Sequence, residues 1–233
     1  MLCSVAGLLV EMTCGGRTAR SAEPYRVQSD RTPDIRLSVS QEDIARFRAE
    51  HPDARILDWE YMLLCGKFCF ELLRFNGFVL HASAVAKDGR AYLFSADPGV
   101  GKSTHTALWC SLYPDARILN DDKPALRLTE NGFYACGTPW SGKSDLNLPL
   151  CMPLGALCFL ERSDRNTIRR LDDPAEILPL LFAQTTRRMG SARTDKLLFL
   201  LGKLIEEVPI YRLRCLPNED AARLAYETMK PQA

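Results

Sequence analysis

One stretch, Ala91-Tyr-Leu-Phe-Ser-Ala-Asp-Pro-Gly-Val-Gly-Lys-Ser-Thr104, constrains the fold of this chain more than any other. The apolar run Tyr92 to Phe94 predicts a buried strand, and Thr104 to Leu112, free of Gly and Pro, predicts a helix. Between them, Ala96 to Ser103 matches the phosphate-binding pattern G-x-x-x-x-G-K-[ST] at every fixed position but the first, where Ala96 stands for Gly. A strand, a Gly-bearing loop and a helix in that order predict an anion cradle of backbone N–H groups. Asp97, Pro98, Gly99, Val100, Gly101 and Thr104 are the expected loop contacts to a nucleotide. Lys102 is expected on the outer phosphates and the Ser103 hydroxyl on Mg²⁺. The competing reading, a Gly-rich turn with an exposed lysine, leaves the strand and helix on either side unexplained.

The strand entering this loop is the second arm of a predicted hairpin. Phe78 to Ala86 reads as one strand, Asp88-Gly89 is a strong tight-turn signal, and Arg90 to Ser95 returns. His81 lies on the first arm. After the helix, Ala116 to Asp122 predicts a strand ending in adjacent carboxylates, where a nucleotide site needs an acidic element for Mg²⁺ or for an acceptor proton. Asp121 and Asp122 are therefore candidate catalytic residues, with Ser103 and Asp122 as metal-side candidates. Turn chemistry alone would also account for Asp-Asp-Lys-Pro. Alternation along a strand sends the two carboxylates to opposite faces. Gly137 to Lys143 forms a small-residue loop, and Lys143 is a candidate phosphate contact or a solvated lysine. Arg187 and Arg188, at the far end of a helix opened by Asp173-Pro174, suit either the helix dipole or a phosphate.

Elsewhere the pattern is structural. Leu2 to Cys14 predicts a strand, 17–33 a loop with a short strand near Tyr25–Val27, and Ile35 to Val39 a half-buried strand. Ser40 and Asp43 open a short helix, and a longer one runs from about Asp58 to Phe75. In the latter, Met62, Cys65, Cys69, Leu72 and Leu73 predict core packing. Hairpin strands at 125–129 and 133–136 follow the Asp pair. Strands at 154–160, 167–171 and 208–215, and helices at 195–207 and 219–229, complete the chain. Domain organisation is expected to be a single unit over 1–233: N-terminal elements (1–77) packed on a nucleotide-binding core (78–170), then C-terminal helices and a strand (171–233).

Thirty basic and 29 acidic residues leave no field that favours nucleic acid or a membrane surface. The nine cysteines are odd in number, lack C-x-x-C and lie mostly in apolar runs, which predicts reduced core residues and a cytoplasmic protein. No zinc-ligand spacing joins them to His51, His81 or His105.

His81-Ala-Ser-Ala-Val85, the Asp88-Gly89 hairpin, the 96–103 loop and Asn120-Asp-Asp122 together resemble the catalytic domain of HPr kinase/phosphorylase, whose nucleotide-binding core is shared with phosphoenolpyruvate carboxykinase. The resemblance is good over about Phe78 to Leu128. It implies an α/β fold with a mixed, twisted β-sheet, the phosphate loop after a β-hairpin, and flanking helices. It also implies Lys102 and Ser103 as phosphate and Mg²⁺ contacts, the Asp pair as base and metal-side carboxylate, and His81 beside the acceptor. The chain lacks the later Gly-rich segment of true HPr kinases and looks like the small HPr-kinase-like proteins, some of which phosphorylate a serine on a peptide. The expected function is an ATP- or GTP-dependent, Mg²⁺-requiring kinase acting on a hydroxyl of a peptide, protein or small metabolite. A nucleotide-sensing module, or more distantly a carboxykinase, stays open, as does a homo-oligomer.

Overall fold

The computed structural model describes residues 1–52, 56–185 and 190–231. The first apolar run is not one strand but a hairpin, β1 (Leu2–Val5) and β2 (Leu8–Met12). Ala6 and Gly7 turn it with φ of 53° and 72°, the two positive angles that a tight hairpin turn requires. A residue-Gly pair inside the run was the available signal. β3 (Ile35–Leu37) adds in parallel to β2, and the predicted loop after it contains α1 (Gly16–Ala22) on its near side. α2 (Gln41–Glu50) begins in a reciprocal cap between Ser40 and Asp43, as expected. α3 (Ile56–Leu72) follows, and Asn76 in the left-handed conformation ends the 3₁₀ turn after it.

The segment expected as one strand from Phe78 is broken at Leu80-His81 into β4 (Gly77–Val79) and β5 (Ala82–Lys87). β5 pairs antiparallel with both β6 (Arg90–Ser95) and β7 (Arg117–Asp122). Asp88 and Gly89, at φ 49° and 70°, close the hairpin. β4 instead pairs with β8 (Ala125–Thr129), which continues into β9 (Gly132–Cys136). The break puts His81 between two sub-sheets, a placement that periodicity alone does not reveal.

β10 (Cys151–Arg162) joins those sub-sheets. Its first residues pair antiparallel with β9, and its later ones pair in parallel with β6 and with β12 (Ile210–Cys215). With β11 (Thr167–Leu171) on β12, the described residues form a nine-stranded mixed sheet. The expected mixed α/β sheet with flanking helices is the observed one. α4 (Lys102–Leu112) covers β5, β6 and β7 and packs on α7 (Glu219–Met229). α5 (Pro174–Ala183) and α6 (Ser191–Glu207) bury Ile177, Leu181, Leu200 and Leu204 with β4, β5 and β10 side chains on the other face. The N-terminal sheet and α3 share a core with Val79, Ala125, Cys136 and Trp140.

Two expectations are corrected here. Cys136 and Cys151, opposite each other across β9 and β10, are disulfide-bonded, while the other seven cysteines are free. Strand pairing brought together two thiols that spacing could not pair, so the expectation of reduced cysteines holds for the other seven alone. Of the predicted α3 stripe, Cys69, Leu72 and Leu73 are buried and Cys65 packs against the core, but Met62 is 45% exposed; Met62, Cys65 and Cys69 also border a cavity. Among the described residues no helix is long and apolar enough to cross a membrane.

Candidate functional site

β6 delivers the chain to the loop at Ser95, whose hydroxyl donates to the His81 carbonyl at 2.8 Å. Gly99 and Gly101 have φ of 81° and 125°, the region where a side chain is strained. A Cβ at either would meet nothing within 4 Å, so the loop surface is open. Ala96 has no such angle, which explains why alanine serves where the pattern has glycine. Its carbonyl accepts from Lys102 Nζ at 2.9 Å. Gly101 precedes α4, and among the described residues the N–H groups of Gly99, Gly101, Lys102, Ser103 and Thr104 find no backbone acceptor. Unpaired donors at a helix N-terminus suit an anion. Ser103, Thr104, Asp97 and Pro98 are exposed around them. Burial lowers the Lys102 pKa, while Asp122 and Asp121 oppose that shift.

Asp121 and Asp122 face opposite ways, as alternation predicts. Asp121 accepts from Ser83 Oγ at 2.7 Å, and Ser83 in turn meets Thr106 Oγ1 of α4 at 2.8 Å. Asp122 lies 3.3 Å from His81 Nε2. Fully buried Asn120 holds this strand end. Its Oδ1 accepts from the N–H groups of Asp122 and Lys123, at 3.1 and 2.7 Å, and its Nδ2 donates to the carbonyls of Thr138 and Trp140. Gly142 then packs on Asp122, where a Cβ would come 3.1 Å from the Asp122 Cβ. Lys143 beside it is exposed on the same loop.

Gln184, at the end of α5, is a residue that no motif marked. Its Nε2 donates to Asp97 at 3.2 Å, which fixes the amide so that Oε1 accepts from His81 Nδ1–H at 3.0 Å. Nε2 of the ring is thereby turned toward Asp122. Burial, then Lys123 and Lys102, push the His81 pKa below its usual 6.5, with Asp122 opposing.

Arg162 was also missed. From the end of β10 it donates to the carbonyls of Gly99 and Val100, fastening the loop beside a cavity of about 520 Å³ that runs to Cys215, Leu216 and Pro217. Among the described residues no three His, Cys, Asp or Glu gather as a metal cage. A divalent cation here would take most of its ligands from phosphate oxygens and water, as Mg²⁺ commonly does. Arg187 and Arg188 lie outside the described residues.

No family model matches this sequence, and no curated protein matches it. Among solved structures the chain is similar to the Hpr(Ser) kinase/phosphatase from Coxiella burnetii, at 14% identity over 65% of this chain and 87% of that one, with a TM-score of 0.38.

Proposed function

We propose that the protein is a kinase that binds ATP or GTP at 97–104 and transfers the terminal phosphoryl group to a hydroxyl. The carrying observation is the pairing of His81 Nε2 with the Asp122 carboxylate, 3.3 Å apart and beside the open loop. A nucleotide sensor needs the cradle but has no use for paired proton acceptors beside it. The unpaired loop N–H groups and Lys102 would hold the phosphates, and the 520 Å³ cavity under Arg162 has room for the base and ribose. Mg²⁺, held by the Ser103 hydroxyl and by Asp121 on the α4 side, would neutralise phosphate charge. That assignment moves the metal-side role from Asp122 to Asp121, because Asp121 reaches α4 through Ser83 and Thr106 while Asp122 turns to His81.

Phosphoryl transfer asks the protein chiefly for positioning, charge neutralisation and a destination for one proton. The acceptor oxygen bonds to the terminal phosphorus as the bridging P–O bond breaks, and that electron pair leaves with the nucleoside diphosphate. The hydroxyl proton goes to the His81–Asp122 pair. Asp122→Asn is expected to bind nucleotide like the wild type but to transfer about 100-fold more slowly, the low end for a lost general base. Asp121→Asn is expected chiefly to weaken Mg²⁺–nucleotide binding. Calorimetry and single-turnover transfer measure the two effects separately. Wild-type turnover in both variants would overturn the kinase reading in favour of a sensor.

A further inference from the structure

A second cavity, of about 440 Å³ and reaching His81, Asp122 and Lys123, lies between α3 and the broken β4–β5 segment. Its walls are Tyr61, Met62, Cys65, Cys69, Val79 and Trp140. The polar atoms of these walls are already paired. Tyr61 Oη donates to the Pro139 carbonyl and accepts from Ser141 N–H, and Trp140 Nε1 donates to the Tyr61 carbonyl. Cys65 and Cys69 hydrogen-bond each other. Thr185 Oγ1 donates to the Phe182 carbonyl, and the Gln184 amide bridges His81 and Asp97. The chemistry left for a ligand is gathered at one end, in His81 Nε2, the Asp122 carboxylate and Lys123, whose ammonium has no ion pair among the described residues.

We propose that this cavity is the acceptor site and that it selects a hydroxyl carried on an apolar body, a class of acceptor distinct from sugars and polar peptides. The inference rests on the kinase reading and names its substrate class. A sugar or a peptide backbone would bring several donors and acceptors against walls with none to offer, and each buried without a partner is costly. An apolar body loses nothing there, and the volume fits a compact small molecule. The hydroxyl would sit at the His81–Asp122 end, and Lys123 would meet the phosphoryl group as it arrives.

Gly66 of α3 also lines the cavity, and a Cβ there meets nothing within 4 Å. Gly66→Leu should therefore fill the space, and leucine favours a helix over glycine. The test titrates 4-phenylbutan-1-ol, glycerol and the peptide Gly-Ser-Gly calorimetrically into the wild type and Gly66→Leu, and then assays phosphate transfer to each from ATP and Mg²⁺. The phenylalkanol is expected to bind and to be phosphorylated at least 10-fold better than either polar acceptor. Gly66→Leu should lose at least 10-fold in both readouts while its melting temperature and ATP affinity hold. Equal use of the polar acceptors, or an unaffected Gly66→Leu, would overturn the inference. So would nucleotide binding with no phenylalkanol binding, which leaves the kinase reading standing. Failure of the wild type to bind ATP at all would instead overturn the kinase reading, and the acceptor role with it.

Discussion

The cavity beside the 96–104 loop and the cavity at Asp122 are built in opposite ways. On the proposed nucleotide side, the recognition groups are backbone N–H donors from one contiguous run, 96–104, whose geometry follows from two glycines and a helix start. The cavity side takes its walls from α3, β4, the end of β7, the 137–142 loop and the end of α5. Its recognition groups are side chains that are distant in sequence. The first can be understood from local chemistry, whereas the second exists only if many packing contacts form together. Changes on the first side should therefore alter one function each, and changes on the second should spread.

The largest expected effect breaks the local side alone. Lys102→Ala removes a half-buried cation from the phosphates and should weaken nucleotide binding by about 3 kcal/mol, or roughly 100-fold. Circular dichroism should be unchanged. An affinity equal to the wild type's by calorimetry would separate the loop from nucleotide altogether.

Acid should break the footing of the same loop. His105, the fourth residue of α4, is 3% exposed, and its Nε2 accepts from Trp109 Nε1 at 3.2 Å. Burial lowers its pKa from 6.5 to about 4. Above pH 6.5 the ring is neutral both folded and unfolded, so its contribution to stability does not change. Between about 6.5 and 4 the unfolded chain takes up a proton that the folded one refuses, and stability falls by about 3 kcal/mol, levelling off below the folded value. Denaturant unfolding at pH 7 and pH 4 checks this against His105→Gln, which cannot titrate. An equal loss in both proteins would assign the acid sensitivity elsewhere.

A smaller effect sharpens the contrast from the tertiary side. Gln184→Met keeps the volume but frees the His81 ring from its fixed orientation. Transfer should slow roughly 10-fold, since a base that is part of the time misoriented loses a portion of the ~10²–10⁴ that general-base catalysis contributes. The acid limb of the transfer rate, set by His81 below its usual 6.5, should shift, while nucleotide affinity changes little. An unmoved pH profile would show that Gln184 acts only structurally.

Sequence and structure agree most closely where the physics is local. Residues 90–112, the Asp88-Gly89 turn, the Ser40–Asp43 cap, and the bounds of β11 and α7 follow from turn angles, capping and periodicity. Alternation along one strand also foretold the opposite facing of Asp121 and Asp122. The β1–β2 turn has only Ala6-Gly7 to mark it inside an apolar run, and the break at Leu80-His81 has no mark because both halves have the same apolar character.

By itself, then, the sequence determined the cradle: an open loop, a lysine and a serine at a helix start, and a carboxylate pair at the end of the next strand. These depend on backbone geometry over a few residues, which local composition controls. Only the tertiary structure decided that Cys136 bonds Cys151, that Asn120 holds the strand end, that Gln184 bonds the His81 ring, and that α3 walls a cavity as well as filling a core. Each of these joins residues brought near by strand pairing or helix packing, and such proximity follows from the whole fold.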